Sequence, residues 1–321
     1  MTHYITRRHA CLLGAGLLAS AASLALTCCA KTDQNTADTS SSNLQGSISL
    51  AGSTSMEKMC EALSEGFMET YPNVRVSVEY TGSSAGIESL TSGLCNIANS
   101  SRELSQAEKS SGIVGNVVAL DGIAVIVNKA NSCTSITKSQ LKQIFTRSVA
   151  SWSDVGGADA AIVVIGRENA SGTRSAFEEL VDVKNSCVYA QELDSTGAVL
   201  AKVASTPGAI GYISLDALSD SVNALVLDGV APTADTIASQ QYPLVRPFIM
   251  ATKGAVSEQS ALVQAWFSYI ESDEGIQIIQ RAGVMPAKSN TANAAPAANA
   301  APAANAAPAA NAAPAADATA Q

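Results

Sequence analysis

Four short loops in the sequence combine serine and threonine with glycine or asparagine, and they are the segments best suited to do chemistry. They occupy residues 52–55, 82–84, 99–101 and 171–173, and each follows a predicted strand. Three of them open a predicted helix, where free backbone N–H groups and the positive end of the dipole favour an anion. Hydroxyl groups add donors, and glycine lets the backbone come close. Together with Arg167, this chemistry predicts a site for a dehydrated oxyanion.

Any single loop of this kind has a simpler interpretation, because serine and threonine are common N-caps of helices. Arg167 alone would equally suit a surface ion pair. It is the joint pattern that indicates a binding site. The net charge of −9 does not exclude an anion, since surface charges are screened beyond about 8–10 Å while donors inside a cleft touch the ligand.

The composition excludes several classes of function. Histidine is confined to His3 and His9, near the start of the chain. Without that segment the protein has no histidine, which argues against histidine-based nucleophilic catalysis and most zinc sites. Our expectation is a protein that is not an enzyme and that has no catalytic residue, metal or cofactor. Loss of the same segment with Arg7 and Arg8 would change the net charge from −9 to −11, and aromatics are only 4%, so nucleic acid is not an expected partner.

Residues 1–28 have the layout of an export signal, with a basic start, an apolar middle and small residues at the end. Leu26 stands three residues before Cys29, the spacing of a bacterial lipobox, whose cysteine is lipidated; Cys28 is the weaker alternative. A short membrane anchor and a cleaved peptide with incidental cysteines are the other interpretations. The leading expectation is a protein held by lipid at the extracytoplasmic face of the cell membrane, on a flexible tether over residues 29–45.

Four further cysteines stand in the body of the chain, at Cys60, Cys95, Cys133 and Cys187. Outside the cytoplasm an even number suggests disulfides. Four cysteines allow three pairings, among which the sequence does not choose. If each half of the body closed its own bond, the pairs would be Cys60–Cys95 and Cys133–Cys187.

Residues 288–321 contain a repeated six-residue unit, Asn-Ala-Ala-Pro-Ala-Ala. Alanine favours helix, but a proline in every unit interrupts it, and no large apolar residue is available for burial. The pattern predicts a disordered tail.

The body between these ends, residues 46–287, alternates strand and helix patterns. Apolar residues alternate over 74–80, and continuous apolar runs at 122–127 and 161–165 predict buried strands. Helices are predicted at residues 56–71, 139–145, 193–204 and 257–270. This alternation predicts an α/β fold with mainly parallel sheets flanked by helices.

Six segments of the body stand in a familiar order: residues 50–55 (LAGSTS), 80–86 (YTGSSAG), 97–104 (IANSSREL), 121–127 (DGIAVIV), 166–174 (GRENASGTR) and 207–212 (PGAIGY). In residues and in order they resemble the phosphate-binding lipoproteins of the Pst-type ABC transporters. The resemblance covers about residues 46–287, and its most specific part is the Ser-Gly-Thr segment that follows an arginine.

This resemblance implies a type II periplasmic-binding fold, with the anion in a cleft between two lobes. One lobe would comprise residues 46–126 and 246–287, and the other residues 127–245, with Arg246 marking the return of the chain. Carried over by motif, the ligand-binding residues would be Thr54, Ser55, Ser83, Arg167, Ser171, Gly172 and Thr173. The implied partners are inorganic phosphate and the membrane permease subunits of an ABC transporter, with the protein itself a monomer.

Ser101 is where the sequence departs from the family, since many members have an aspartate there. That carboxylate would accept the proton of hydrogen phosphate and so disfavour sulfate, whereas a serine hydroxyl can donate or accept. Ser101 remains a candidate ligand residue, and phosphate remains the expected ligand. Another tetrahedral oxyanion such as sulfate or molybdate is the alternative; a surface phosphatase and a ligand-free adhesin are further ones. Arg102 would either add a donor or pair with Glu103.

Overall fold

The computed structural model describes residues 44–287. The expected signal, the lipidation cysteines, nearly all of the tether and the repeat tail lie outside this range. Within it, the strands are β1 (Gly46–Gly52), β2 (Val74–Glu79), β3 (Ile97–Ser100), β4 (Ile113–Asn128), β5 (Ser135–Ile136), β6 (Val163–Arg167), β7 (Gln191–Leu193), β8 (Ala209–Ser214), β9 (Val222–Ala224), β10 (Val226–Leu227), β11 (Val245–Lys253) and β12 (Met285–Pro286). The α-helices are α1 (Glu57–Thr70), α2 (Ser83–Thr91), α3 (Gln106–Ser110), α4 (Lys138–Phe145), α5 (Gly172–Leu180), α6 (Thr196–Ser205), α7 (Ala234–Ala238), α8 (Ala261–Ile270) and α9 (Asp273–Arg281).

The apolar pattern of α1 positions the loop that precedes it. Its buried apolar stripe consists of Met59, Cys60, Leu63 and Phe67. A 3-10 turn, Thr54–Met56, leads into the helix, and the Ser53 side chain caps that turn by accepting a hydrogen bond from the backbone N–H of Ser55. Packing of the stripe therefore holds the hydroxyl groups of the β1–α1 loop at the carboxyl end of β1.

Two groups of three strands pair in parallel, as predicted. β1 lies between β2 and β3, and β6 lies between β7 and β8, all with parallel pairing. The sheet continues in the order β2-β1-β3-β11-β4-β8-β6-β7. β4 and β11 at its centre pair antiparallel with each other and with their outer neighbours, β8 and β3. The α/β prediction is confirmed, but parallel pairing does not dominate because these two long strands run against the rest.

β4 changes partners along its length. Residues 113–122 pair with β11, and residues 123–128 pair with β8 and β9. The apolar run predicted only the second part of this strand. The first part is partly exposed, with buried and exposed residues mixed, so no continuous apolar run marks it in the sequence.

Two large hydrophobic clusters share β4. The Phe67 cluster contains Phe67 and Trp266, whose rings meet edge to face at 5.2 Å, and it reaches Ala119 of β4. The Phe145 cluster contains residues of α4, α5, β6 and β8 and reaches Ile123 of β4. Along β4, the border between the two clusters therefore falls between Ala119 and Ile123. The lobe boundaries at residues 126 and 246 stay a prediction.

Two predicted helices begin later in the structure than in the sequence pattern. Leu193 is the last residue of β7, and Ser195 caps α6, so that helix starts at Thr196. The segment 257–270 opens with a 3-10 turn, and α8 starts after the Ser260 cap. In both cases a serine that can cap the helix decides the start, because it satisfies an otherwise free backbone N–H group.

The four body cysteines are free thiols in the structure, so neither conditional disulfide pairing is formed. Cys60 and Cys95 belong to different hydrophobic clusters. Cys133 is buried, and Cys187 is partly exposed. Across residues 44–287, no helix combines the length and the apolar character needed to cross a membrane.

Candidate functional site

The four hydroxyl-rich loops of the sequence meet in one buried place. β1, β2 and β3 are parallel neighbours, so the residues at their carboxyl ends share one edge of the sheet. Loop 171–173 reaches the same place from β6 and begins α5. Ser83 and Ser101 are 0% exposed, and Ser171 and Thr173 are 1% exposed. The convergence that sequence alone could not establish is present in the structure.

Four serines on the β1–β3 side are linked through their side chains. Ser53 Oγ donates to Ser101 Oγ at 2.8 Å and lies 2.9 Å from Ser55 Oγ. The backbone N–H of Ser101 donates to Ser83 Oγ at 3.1 Å, and the hydroxyl oxygens of these two residues are 3.3 Å apart. Ser53 thereby joins Ser55, Ser83 and Ser101, which were predicted as ligand residues.

The N-terminus of α5 closes on these serines from the other side. A Cβ atom at Gly172 would overlap Ser83 Oγ and come to 2.8 Å from Ser101 Oγ, so the close approach requires glycine. Thr173 Oγ1 donates to Ser55 Oγ at 3.3 Å. Gly172 and Thr173 are therefore brought together with the serines, as the motif predicted.

Ser171 has a structural task as well as a place in the site. Its Oγ accepts a hydrogen bond from the backbone N–H of Arg174 at 3.2 Å and so caps α5. Next to it, the backbone N–H of Ser84 donates to the carbonyl oxygen of Ala170 at 3.1 Å. This contact sets the first turns of α2 and α5 side by side, so two helix N-termini face the same buried volume.

A buried arginine on β11 supplies charge to the site, although no sequence motif indicated it. Arg246 is 2% exposed. Its Nη1 donates to Thr173 Oγ1 at 2.7 Å and to the backbone oxygen of Ser101 at 3.2 Å. Its Nη2 donates to Ser55 Oγ at 3.1 Å. One guanidinium group therefore connects hydroxyl groups from both sides of the site.

Asp121 on β4 orients this arginine. Its Oδ2 accepts hydrogen bonds from Arg246 Nε at 2.9 Å and from Arg246 Nη2 at 2.8 Å. The two residues are direct partners in the antiparallel β4–β11 register. The available signal was a charged residue at the border of an apolar strand, but the sequence does not say which strands pair.

Arg167 is buried, yet its guanidinium makes no hydrogen bond to loop 171–173 in the described part of the chain. Its Nε donates to the carbonyl oxygen of Leu193 at 3.2 Å, and its Nη2 to that of Asp194 at 2.8 Å. Its Nη1 donates to Thr196 Oγ1 at 3.3 Å. Arg167 therefore reaches the site through Thr196.

Thr196 in turn contacts Thr54, the remaining predicted site residue. The two Oγ1 atoms are 3.1 Å apart, and the backbone N–H of Thr196 donates to Thr54 Oγ1 at 3.2 Å. Sequence reasoning missed Thr196 because the expected start of the helix at residue 193 placed it inside the helix. The Ser195 cap was the signal that could have found it.

The electrostatics of the site favour negative charge in a ligand. The pKa of Arg167 is lowered to about 10, chiefly by burial and also by the charge of Arg246, while the Tyr212 hydroxyl opposes this. Burial raises the pKa of Asp121, against the opposing effect of Arg246. The charged side chains at the site that are almost fully buried are thus two guanidinium groups and one carboxyl group. An anion would compensate the surplus positive charge.

Arg102, whose role the sequence left open, forms an ion pair at the edge of the site. Its Nη2 lies 2.8 Å from Glu108 Oε1, so the acidic partner is Glu108 and not Glu103. Its Nη2 also donates to Ser84 Oγ at 3.2 Å. Arg102 therefore braces the loop after β2 from outside.

The arrangement suits non-covalent binding by hydrogen-bond donors. The site hydroxyls contact arginine, backbone groups and one another. Within residues 44–287, no group of three or more histidine, cysteine or acidic residues is placed to hold a metal ion.

Comparisons with known proteins give a consistent result. Residues 37–274 match the PBP superfamily domain. The chain is 33% identical over 232 residues to the phosphate-binding protein PstS of Bacillus subtilis, covering 71% of this chain and 76% of that protein. It is 29% identical over 254 residues to PstS of Borreliella burgdorferi, covering 75% and 90% of the two chains.

Solved structures agree with these matches. The fold is similar to that of a substrate-binding protein from Clostridium perfringens with bound phosphate, at 35% identity and a TM-score of 0.73, over 76% of this chain and 100% of that one. It is also similar to an ABC-type phosphate transport receptor from Vibrio cholerae, at 30% identity and a TM-score of 0.65, over 75% of this chain and 100% of that one.

Proposed function

Since the chain belongs to the PBP superfamily, and within it to the PstS phosphate-binding proteins, we propose that it captures inorganic phosphate and delivers it to the permease of an ABC transporter. This membership confirms the predicted periplasmic-binding-protein fold. The observation that carries the proposal is Arg246: a buried guanidinium, anchored on Asp121, that donates to Ser55 and Thr173 from opposite sides of one site. Binding of this kind breaks no bond, so it requires no catalytic residue and no cofactor.

In this structure the hydroxyl groups of the site form hydrogen bonds with one another. A bound anion would lie among them, and the hydroxyl groups would reorient to donate to its oxygen atoms. The proposed ligand residues are Thr54, Ser55, Ser83, Ser101, Arg167, Ser171, Gly172 and Thr173, with Arg246 added. A hydrogen bond to a charged group contributes about 1.5–3 kcal/mol. Because micromolar affinity corresponds to about 8 kcal/mol, several such bonds suffice after the losses from dehydration and ordering.

Binding would be accompanied by closure of two lobes, residues 46–126 with 246–287 and residues 127–245. The separate Phe67 and Phe145 clusters, which share the long strand β4, support this division. Opening about β4 and β11 would separate the hydroxyls of Thr54 and Thr196 and expose the serines to phosphate.

The protein would act at the extracytoplasmic face of the cell membrane, as a monomer held there by lipid on Cys29, with Cys28 as the alternative. The signal-like leader and its cysteine spacing support this placement. Cys29→Ser is expected to release the protein from the membrane fraction, with Cys28→Ser as the matched control. Release by Cys28→Ser alone would move the anchor to Cys28.

The test is a thermal shift on purified protein freed of bound anion, with phosphate and with sulfate. A ligand at about 1,000 times its Kd stabilises by about 4 kcal/mol, which for a domain of this size raises Tm by roughly 8–16 °C. A shift with phosphate and none with sulfate is expected. Equal shifts with both anions would indicate a broader oxyanion receptor, and no shift with phosphate would contradict the proposal.

A further inference from the structure

Behind Arg246 lies a group of three polar side chains that phosphate binding does not explain. Asp121 Oδ1, Ser214 Oγ and Asp216 Oδ1 are all buried, and none has a hydrogen-bond partner among the described residues. Ser214 ends β8, and Asp216 follows in the 3-10 turn Leu215–Ala217. Asp121 and Ser214 are at most 2% exposed. Unpartnered polar atoms of this kind are costly, so their clustering requires an explanation.

The charged and titratable groups around Asp216 come from several elements. Asp121 faces it from β4, Arg246 from β11 and Lys58 from α1, where Lys58 Nζ donates to the Asp216 carbonyl oxygen at 3.4 Å. Glu57, Cys60 and Glu61 of α1 are the other titratable groups nearby. The turn after α9 adds Gly283, and the first turn of α6 adds Thr196 and Gly197, none of which titrates. Asp216, from the turn after β8, is therefore covered in part by α1 and by the turn after α9, which pack on the Phe67 cluster.

Two carboxyl groups lie close together here, with few donors around them. Asp121 Oδ2 is occupied by Arg246, which leaves Asp121 Oδ1 as an acceptor. The Ser214 hydroxyl and the backbone N–H of Leu215 lie near Asp121, and the same Ser214 hydroxyl lies near Asp216. With both carboxyl groups ionised, two negative charges would share this buried place. A proton on Asp216 removes one of these charges and lets Asp216 donate to Ser214 Oγ.

The pKa shifts agree with one proton shared by the two carboxyl groups. Burial first, and then the charge of Asp121, raise the pKa of Asp216 to about 7, while Ser214, Arg246 and Lys58 act in the opposite direction. Burial also raises the pKa of Asp121. Two close carboxyl groups that share one site titrate as a pair, with one proton retained well above the ordinary range.

We propose that Asp121, Ser214 and Asp216 form a proton-binding site that takes up one proton from solvent when the anion cleft closes. The inference rests on the proposed function, because its consequence is for phosphate affinity. If both carboxyl groups were ionised, they would offset the positive charge that Arg246 presents to the anion. With the proton bound, only Asp121 opposes Arg246, and the closed complex is stabilised.

The test compares phosphate affinity of the full protein and of Asp216→Asn across pH. Asparagine is neutral, and its amide can donate to Ser214 as the protonated carboxyl would. The ionisation of free phosphate affects both proteins equally, so it cancels in the ratio of wild-type Kd to variant Kd. We expect this ratio to rise by about tenfold from about pH 5.5 to about pH 8.5, as wild-type Asp216 loses its proton.

The matched control is Asp220→Asn, a neighbouring carboxyl group that is exposed. Its ratio should stay constant with pH. A constant ratio for Asp216→Asn as well would overturn the proton site while leaving phosphate binding intact. Failure of the wild type to bind phosphate at any pH would instead contradict the proposed function.

Infrared spectroscopy of the phosphate complex provides a second measurement, which does not depend on folding of the variant. Protonated Asp216 should give a carboxylic-acid carbonyl band that disappears with a midpoint near pH 7, the value to which its pKa is raised. Absence of such a band at about pH 5.5, where the site would be fully protonated, would also overturn the proposal.

Discussion

Two buried arginines meet the site, and they differ in what holds them. Arg246 pairs with a buried carboxyl group, that of Asp121, and directs its remaining donors at Ser55 and Thr173. Arg167 donates mainly to backbone carbonyl oxygens and touches the site only through Thr196. The arginine within the recognisable motif is thus the less direct of the two.

The difference shows that a residue within a recognisable motif need not be the one that contacts the site in the folded protein. The guanidinium of Arg167 is held by the carbonyl oxygens of Leu193 and Asp194, away from the serines. Asp121 orients the guanidinium of Arg246 so that its other N–H groups point at the hydroxyl groups of Ser55 and Thr173, which an anion would replace as acceptors. We therefore expect Arg246 to matter more for anion binding than Arg167.

The largest effect is expected from Arg246→Met. Phosphate affinity should fall by more than about a hundredfold, because the variant loses a desolvated charge from the site. Stability should also fall by about 3–5 kcal/mol, since Asp121 is left buried without its partner. Calorimetric titration and urea unfolding measure the two effects separately.

The double variant Arg246→Met with Asp121→Leu separates binding from folding. Replacing a whole buried ion pair by apolar residues is often neutral for stability. The double variant should therefore recover most of the lost stability and still fail to bind phosphate. Recovery of binding together with stability would mean that Arg246 supports the fold and not the anion.

The next largest effect is expected from Gly172→Ala, which tests whether the two sides of the site must touch. The added methyl group would overlap Ser83 and approach Ser101, so closure is blocked and affinity should fall by about ten- to hundredfold. Gly197→Ala, which also lies in the first turn of a helix but in open space, is the matched control and should bind normally. Equal affinities for the two variants would argue against the closed arrangement.

A smaller effect is expected from Arg167→Ala. Affinity should fall by about tenfold, because the hydrogen bond to Thr196, and through it the position of Thr54, is lost. Circular dichroism should show an intact fold. If this variant lost more affinity than a folded Arg246 variant, the ranking of the two arginines would be reversed.

The smallest effect is expected from Ser101→Ala, which removes one hydroxyl group from a site with several. A neutral hydrogen bond contributes about 0.5–1.5 kcal/mol, so affinity should fall by about two- to tenfold. Competition with sulfate measures the other property of this residue. If Ser101 helps to distinguish the two anions, the phosphate preference falls as well; an unchanged preference would place discrimination elsewhere in the site.

Much of the fold followed from local patterns. Apolar stripes predicted α1 and α4 within a residue or two, and apolar runs predicted β6 and the second part of β4. These elements are buried on regular faces, so their periodicity appears directly in the sequence. The first part of β4 and the start of α6 were harder to predict. The first part of β4 is partly exposed, and a capping serine decides where α6 begins.

The site residues likewise divide into those that local sequence patterns predicted and those that they did not. Ser55, Ser83 and Thr173 were predicted because they stand in hydroxyl-rich loops after strands and in segments that match the motifs of a known family. Asp121 and Arg246 were missed as site residues because 125 residues separate them and neither stands in a hydroxyl-rich loop. Their pairing depends on the register of two antiparallel strands, which no local pattern contains.

The amino-acid sequence specifies which chemical groups are available: hydroxyl-rich loops at the ends of strands, no histidine after His9, and an order of motifs shared with a known family. Which of these groups meet depends on the three-dimensional fold. It set Arg246 and Asp121 face to face, brought Gly172 against Ser83, and left Arg167 at the edge. The physical reason is that residue types and caps act over a few neighbouring positions, whereas contacts across a sheet depend on long-range packing and on the burial of charge.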